Sequence, residues 1–411
     1  MPRLRIKNFG PIKEGFVDEA GNEWMDIRKV TVFIGNQGTG KSTVAKVIAT
    51  MMWLEKSVNR GDIPIPATLQ NLKRHFGYQS LQANFREDTF LEYEGDAFAF
   101  KYDRASSHPI TRKMEGEFYK VPKLMYVPAE RNFLSTIKNV YNISGLPKPL
   151  FTFAEEMRRA QNDVSEDDGL ALPIDGYTYF YNRDNEQSYV RGKDHEVNLI
   201  DASSGFHSIV PLYLVSWSLA NLLHVFEKLS PNDLNVNQAL RMREEIAEIM
   251  LTDHLLDEEK IKRVESIKNR YQSAYFVNIV EEPEQNLFPE SQWAILTGLL
   301  RLNNFNEENT LILTTHSPYT INYLTLAIKA DGVLQQIVLA DKEQIIPRLD
   351  RIVPSLSTVA ATDAVIYELS DGKIRKLPDY NGLPSDENYL NEMLSEGNEL
   401  FAQLLEIQQE L

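Results

Sequence analysis

The chain of 411 residues contains no cysteine. Disulfides and thiolate metal sites are therefore excluded, and stability must come from packing; a reducing cytosol suits such a chain. Basic charge is in short supply, with 43 Lys and Arg against 59 Asp and Glu and a formal net charge of −16. A surface generally dressed for phosphate backbones is thereby disfavoured, because that affinity comes from counterions released around Lys and Arg clusters. A local basic groove stays open, and an acidic balance also serves simple solubility. The start, MPRLRIKNFGPI, lacks the apolar stretch of a signal peptide, and no run reads as the roughly 18 apolar residues of a membrane span. The expectation is a cytoplasmic protein without a membrane. At 43% hydrophobic and 25% charged residues, the chain can bury one large core or two ordinary ones.

Periodicity supplies the organisation. Residues 3–8 alternate polar and apolar, and the apolar run from Val30 to Ile34 ends at a glycine, so both read as strands. The segment DEAGNEWMD between them reads as a turn carrying a hairpin. From Ser42 the run STVAKVIATMMWL keeps helical spacing, so strand, glycine loop and helix follow in order. Residues 58–120 read as an antiparallel subdomain, and KLMYVP as a buried strand ending at Pro128. These make a first lobe, 1–135. Residues 136–200 read as an irregular insertion.

A second lobe, 201–325, opens with a long apolar helix after Gly205 and carries a charged helical hairpin at about 232–272, expected to stand off the core. It closes with the strand AYFVNIV, a helix from about Glu290 and the strand TLILTT. The C-terminal extension, 326–411, reads as a strand (LQQIVLAD), a hairpin turning at Ser370-Asp371-Gly372-Lys373 and an amphipathic helix ending at Leu411.

Four constellations carry chemistry. Gly35-Asn36-Gln37-Gly38-Thr39-Gly40-Lys41-Ser42 fits the phosphate-loop pattern, and Thr43 continues it. Its glycines let backbone N–H groups curl around a phosphate, Lys41 reaches the β and γ oxygens, and the Ser42 hydroxyl ligates Mg²⁺. The strand Tyr275 to Val280 delivers Glu281-Glu282-Pro283-Glu284. One carboxylate can stand beside the Mg²⁺ shell and the next can polarise water for attack on a γ-phosphate, although such residues also cap helix starts. His316 in Thr314-Thr315-His316-Ser317 ends a neighbouring strand, where it can sense the third phosphate. Ser203-Ser204-Gly205 opens the long apolar helix, either as a second anion site or as an ordinary serine cap.

In this order the motifs resemble those of ABC-type ATPase heads. IKNFGPI (6–12), YVPAERN (126–132), SSGFHS (203–208), EEPEQNLFP (281–289) and TTHSP (314–318) resemble more narrowly the branch holding the overcoming-lysogenisation-defect ATPases and related recombination-repair and antiphage-defence ATPases. The likeness spans residues 3–325. It implies an α/β P-loop NTPase head with a mixed central sheet, an antiparallel β subdomain and helical insertions. It further implies ATP with Mg²⁺, Ser42 and Glu281 on the metal side, Glu282 as catalytic base and His316 as γ-phosphate sensor.

Two copies would dock head to tail, as a dimer or within a larger homo-oligomer, each burying ATP between its own loop and Ser203, Ser204 and Gly205 of the other. Glu281 stands in place of the aspartate usual in transporters, Gln37 where many relatives have asparagine, and Phe288 where histidine is common. The stretch from Arg131 to Ser203 is too short for long coiled-coil arms, and no DxD-type acidic cluster follows His316. The expectation is an ATPase subunit that controls a separate effector such as a nuclease or toxin in antiphage defence. The alternative is a DNA-repair ATPase that clamps DNA itself, which the net charge disfavours; a transporter ATPase fits the long insert before Glu281 poorly.

Overall fold

The computed structural model describes residues 1–409 apart from 67, 104–108, 115–118, 138–139, 226–233, 235 and 253–255. Along the chain, β1 (Arg3–Phe9), β2 (Gly15–Phe16) and β3 (Met25–Asp26) precede β4 (Val30–Gly35), and α1 (Lys41–Asn59) leaves the glycine loop directly. Next come α2 (Leu69–Phe76), β5 (Phe85–Glu94), β6 (Phe98–Tyr102), β7 (Ile110–Lys113) and β8 (Val121–Val127). Helix α3 (Lys148–Asp163) is followed by β9 (Leu170–Ala171), β10 (Thr178–Asn182), β11 (Gln187–Arg191) and β12 (Glu196–Asn198). Then α4 (Ser204–Val225), α5 (Val236–Met250), α6 (Asp257–Tyr271), β13 (Ser273–Glu281), α7 (Pro289–Asn303), β14 (Thr310–Thr314) and α8 (Pro318–Leu339) complete the middle of the chain. A short α9 (Ile346–Asp350), β15 (Ala364–Ser370), β16 (Lys373–Lys376), the small pair β17 (Asp379–Tyr380) and β18 (Leu383–Pro384), and α10 (Tyr389–Gln409) close it.

The central sheet has the order β2-β16-β15-β4-β14-β13-β8. Its five middle-to-edge strands β15, β4, β14, β13 and β8 run parallel, so their carboxyl ends share one edge. The register sets Thr314 opposite both Phe33 and Glu281, and Val280 opposite Val127. Strand segments such as those of Phe33 and Thr314, 281 residues apart in sequence, thus lie side by side, as a ladder of parallel crossovers demands.

Side chains sort by the two-residue period of a strand into two cores. Val30, Val32 and Ile34 join α3, α4, α7 and α8 on one face. Phe33, with Val277, Ile279 and Ile312, joins α1 and the antiparallel sheet β3-β1-β5-β6-β7 on the other. The chain is an α/β fold with a mixed central sheet flanked by antiparallel sheets.

Three expectations are corrected. Residues 136–200 are not irregular: they form α3 and the antiparallel sheet β12-β11-β10-β9. Leu150, Phe153, Ala154, Met157 and Ala160 give α3 a buried stripe, but its strands of two to five residues are too short to show a period. LQQIVLAD is not a strand; most of it forms the end of α8, whose buried Ile321, Leu324, Ile328 and Ile337 keep helical spacing. A short apolar run cannot be told from a buried helix by composition.

Third, α4 is long and apolar enough over Ser204–Leu223 to cross a membrane, yet 67% of that stretch is buried inside the protein. Ile209, Val210, Leu212, Leu214 and Val215 spend that apolarity in the core.

The hairpin at Ser370 to Lys373 is formed by β15 and β16, with Asp371 and Gly372 both at positive φ, as a tight two-residue turn requires. Helix α5 sits on the turn that follows α1: Arg241 donates to Gly61 O at 2.5 Å and pairs with Asp62, which also accepts from Gln238, while α6 packs on α5, β13 and β8. Their base is docked through buried Ile267 and Tyr271, while Val236, Leu240 and Ile261 face outward. Part of the 232–272 segment, and the last two residues of the tail helix, lie outside the described residues.

Candidate nucleotide site

Strand β4 ends at Gly35 with φ +139°, and a Cβ there would meet the backbone oxygen of Leu369 at 2.3 Å. Only glycine lets the loop leave the sheet so close to β15. Gly40, at φ +105°, packs against Pro11 and Ile12, where a Cβ would lie 2.9 and 2.7 Å from their side chains. The turn in IKNFGPI therefore backs the loop. Helix α1 begins at Lys41 with no side-chain cap, so its first N–H groups and its positive dipole end face the loop.

Within the loop, Asn36 Oδ1 accepts from Gln37 N at 2.7 Å and Asn36 O accepts from Thr39 Oγ1 at 2.8 Å. Asn36, Gln37 and Gly38 are exposed at the tip, Thr39, Ser42 and Thr43 are half-buried, and Gly35, Gly40 and Lys41 are buried.

Lys41 curls inward. Its ammonium donates to Gly35 O at 2.7 Å and Asn36 O at 2.8 Å, and lies 3.3 Å from His316 Nδ1. Burial pulls its pKa down to about 8, with the nearby Glu282 and Glu284 carboxylates acting in the opposite sense.

Glu282 and Glu284 follow Glu281, the last residue of β13. Glu281 is buried and accepts from the Tyr126 hydroxyl and from Ala129 N at 3.3 Å, with Lys46 Nζ 3.6 Å away. Lys46 lies one helical turn beyond Ser42 on α1, so Glu281 borders the Ser42 face of that helix. Glu282 has φ +45°, a left-handed conformation rare for a residue with a Cβ, and its N–H donates to Thr314 O at 2.8 Å. Its Oε1 is 3.4 Å from His316 Nε2, and the contact with His316 holds its carboxyl below the usual carboxylate range.

Glu284 is half-buried and accepts from Thr315 Oγ1 at 2.8 Å and His316 N at 2.7 Å. Desolvation pushes its carboxyl up, and its Oε2 lies buried with no hydrogen-bond partner among the described residues.

The structure brings the phosphate loop, Glu281, Glu282 and His316 together. It does not bring Ser203, Ser204 and Gly205 to that loop by any hydrogen bond among the described residues. Ser203 and Ser204 are exposed at the start of α4, and Gly205 packs against Asn286 O and Leu287.

Two structural members of the site had no assigned role from sequence. Glu284 was visible as the third acid of the motif, and Arg131 as the last residue of PAER. Arg131 is fully buried, and its guanidinium donates to Glu281 O and Glu282 O, both at 2.7 Å. Burial lowers its pKa to about 10.

The result is an α/β fold in which a loop of the phosphate-loop pattern joins the parallel strand β4 to α1, and carboxylates and a histidine stand at the ends of the next two strands, β13 and β14. Solved structures similar to it include an SMC head domain from Thermotoga maritima, with 12% identity over 92% of this chain and 98% of that one at a TM-score of 0.38. Another is an Smc head domain with an extended coiled coil bound to the C-terminal domain of ScpA, derived from Pyrococcus furiosus, with 8% identity over 98% and 100% of the two chains and a TM-score of 0.36. A third is a dimeric ATP-binding cassette in a post-hydrolysis state bound to ADP and Pi, with 11% identity over 92% and 100% and a TM-score of 0.31. No family model and no curated protein matches the chain in sequence.

Proposed function

We propose that the chain is an ATPase head that binds ATP with Mg²⁺ on the loop Gly35 to Ser42 and hydrolyses it in an assembly of two or more copies. The observation that carries this reading is the convergence of three groups: Lys41 Nζ lies 3.3 Å from one ring nitrogen of His316, and Glu282 lies 3.4 Å from the other. A cation, a hydrogen-bonding ring and a carboxylate at one point suit a γ-phosphate and its attacking water.

The hard oxygen donors of Ser42 and Glu281 fit Mg²⁺, which keeps most of its shell for water and phosphate and so needs few protein ligands. When bound, it neutralises charge on the phosphate oxygens. Ser42 and Glu281 would hold it, with Lys46, Tyr126 and Ala129 N fixing the Glu281 carboxylate. Lys41 would exchange its carbonyl partners for β and γ oxygens. Glu282, ionised at neutral pH beside His316, would orient and deprotonate the water, and His316 would register the γ-phosphate.

The exposed Ser203 and Ser204 and the start of α4 suit a nucleotide brought by a second copy, so ATP would join heads reciprocally. On the resemblance of its motifs, such an assembly would control a separate effector, a nuclease or toxin, in antiphage defence.

Phosphate release by the purified chain, measured against protein concentration, tests the core of this reading. Turnover per copy should rise with concentration as heads meet. Absence of turnover in the wild type, or full turnover in Lys41→Ala, would sink it.

A further inference from the structure

Helix α4 carries a proline in its interior, Pro211. Proline has no backbone N–H, so the His207 carbonyl four residues earlier lacks its helical donor. Ser135 Oγ fills that place, donating to His207 O at 3.0 Å. One residue further on, Ser208 O accepts from Arg131 Nε at 3.2 Å. Ser135 and Arg131 belong to one run of 3₁₀ turns, Ala129–Thr136, which leaves the end of β8. The first turn of α4 is therefore moored from outside.

The same guanidinium reaches the other half of the site. Its Nη1 donates to Glu281 O and to Pro128 O, and its Nη2 donates to Glu282 O. All four bonds of this buried cation go to backbone carbonyls, two of them at the strained residue Glu282 and its neighbour. A second strut lies beside it: Asn286, four residues past Glu282, donates from Nδ2 to Ser208 Oγ at 3.1 Å. Desolvating an arginine is costly unless its donors are satisfied, and a bare core would be filled as well by an apolar side chain. The positions of the four acceptors are what a guanidinium adds.

We infer that Arg131, with Ser135 and Asn286, is a positioning residue that ties the attitude of the Ser203 to Gly205 turn to the backbone of Glu282 in the same head. The inference rests on the ATPase reading above, in which that turn meets the nucleotide of a second copy while Glu282 serves the head's own. The base of each head is then set when its own turn is seated on its partner's ATP. Two sites coupled in this way fire together, and turnover is cooperative in ATP.

The test is phosphate release against ATP concentration for wild type, Arg131→Lys, and the pair Ser135→Ala with Asn286→Ala, each checked for folding by circular dichroism and thermal melting. ATP affinity is measured separately with a fluorescent ATP analogue. Wild type should show a Hill coefficient approaching about 2, the number of linked sites. In Arg131→Lys, whose ammonium cannot span four carbonyls, kcat should fall about tenfold or more and the Hill coefficient should drop to about 1, with analogue affinity within about twofold. The Ser135/Asn286 pair should move both quantities the same way by less, and it decides the matter should the Arg131 variant fail to fold.

A Hill coefficient kept at the wild-type value in the folded variants would overturn the coupling, as would non-cooperative turnover in the wild type. Absence of any wild-type turnover would instead overturn the ATPase reading beneath it.

Discussion

His316 Nε2 stands 3.4 Å from Glu282 Oε1, so the groups that end two neighbouring parallel strands touch above the phosphate loop. The contact lowers the Glu282 carboxyl below the usual carboxylate range.

From that contact follows the first prediction. Glu282→Gln keeps the shape of the side chain but removes its basicity, so ATP should still bind while turnover falls on the order of 10²-fold to 10⁴-fold, the usual contribution of a positioned general base. Single-turnover hydrolysis and light scattering should show an ATP-bound assembly that does not dissociate. Turnover equal to the wild type would remove Glu282 from its role.

Lys41 gives a pH signature. Its folded pKa of about 8 lies below the ordinary 10.5 because of burial, and phosphate oxygens would raise it again on binding. Binding should therefore take up a proton in the range above about pH 8, and ATP affinity should weaken as pH rises from 8 to 10. Calorimetry in buffers of different ionisation enthalpy measures the uptake. Lys41→Arg, which stays charged throughout, should lose the dependence; a flat profile in the wild type would contradict the assignment.

The glycines of the loop are not equivalent. Gly35→Ala must push the β15 backbone at Leu369 away from β4, whereas Gly38, at φ +77°, has open space around its missing Cβ. Gly38→Ala should cost about 1 kcal/mol from backbone strain alone, and Gly35→Ala at least about 2 kcal/mol more. Urea unfolding of the two variants decides, and equal costs would mean that β15 yields easily.

Glu55 provides a stability test away from the site. Its buried carboxyl accepts from Ala97 N, Phe98 N and the Tyr93 hydroxyl, yet desolvation raises its pKa from 4.5 to about 7. An acid whose folded pKa is raised binds its proton more tightly in the native state. Stability contributed by that proton is present below 4.5 and lost as pH rises to about 7. Glu55→Gln should narrow the stability lost between pH 4.5 and 7, as read from thermal melts. Parallel pH profiles for the two proteins would refute the shift.

What the sequence by itself determined is the chemistry that depends on neighbours along the chain. Gly35, Gly40, Lys41 and Ser42 lie within eight residues, and the backbone freedom and helix start they need are local properties. The carboxylates after β13 and the histidine after β14 were legible for the same reason, each as a strand followed by polar residues. The short strands of residues 136–200 were not legible, because two to five residues give no period to read, and the end of α8 passed for a strand because apolar runs fit either state.

Only the tertiary structure decided which strand ends meet. The parallel register sets Glu281 opposite Thr314 and Phe33 opposite Thr314, and that alone brings Glu282 and His316 over Lys41. It also gave Arg131 its place, since four carbonyl acceptors from three separate stretches of chain converge only after the sheet and α4 have packed. Hydrogen bonds to the backbone leave no mark in the identity of the residues that accept them.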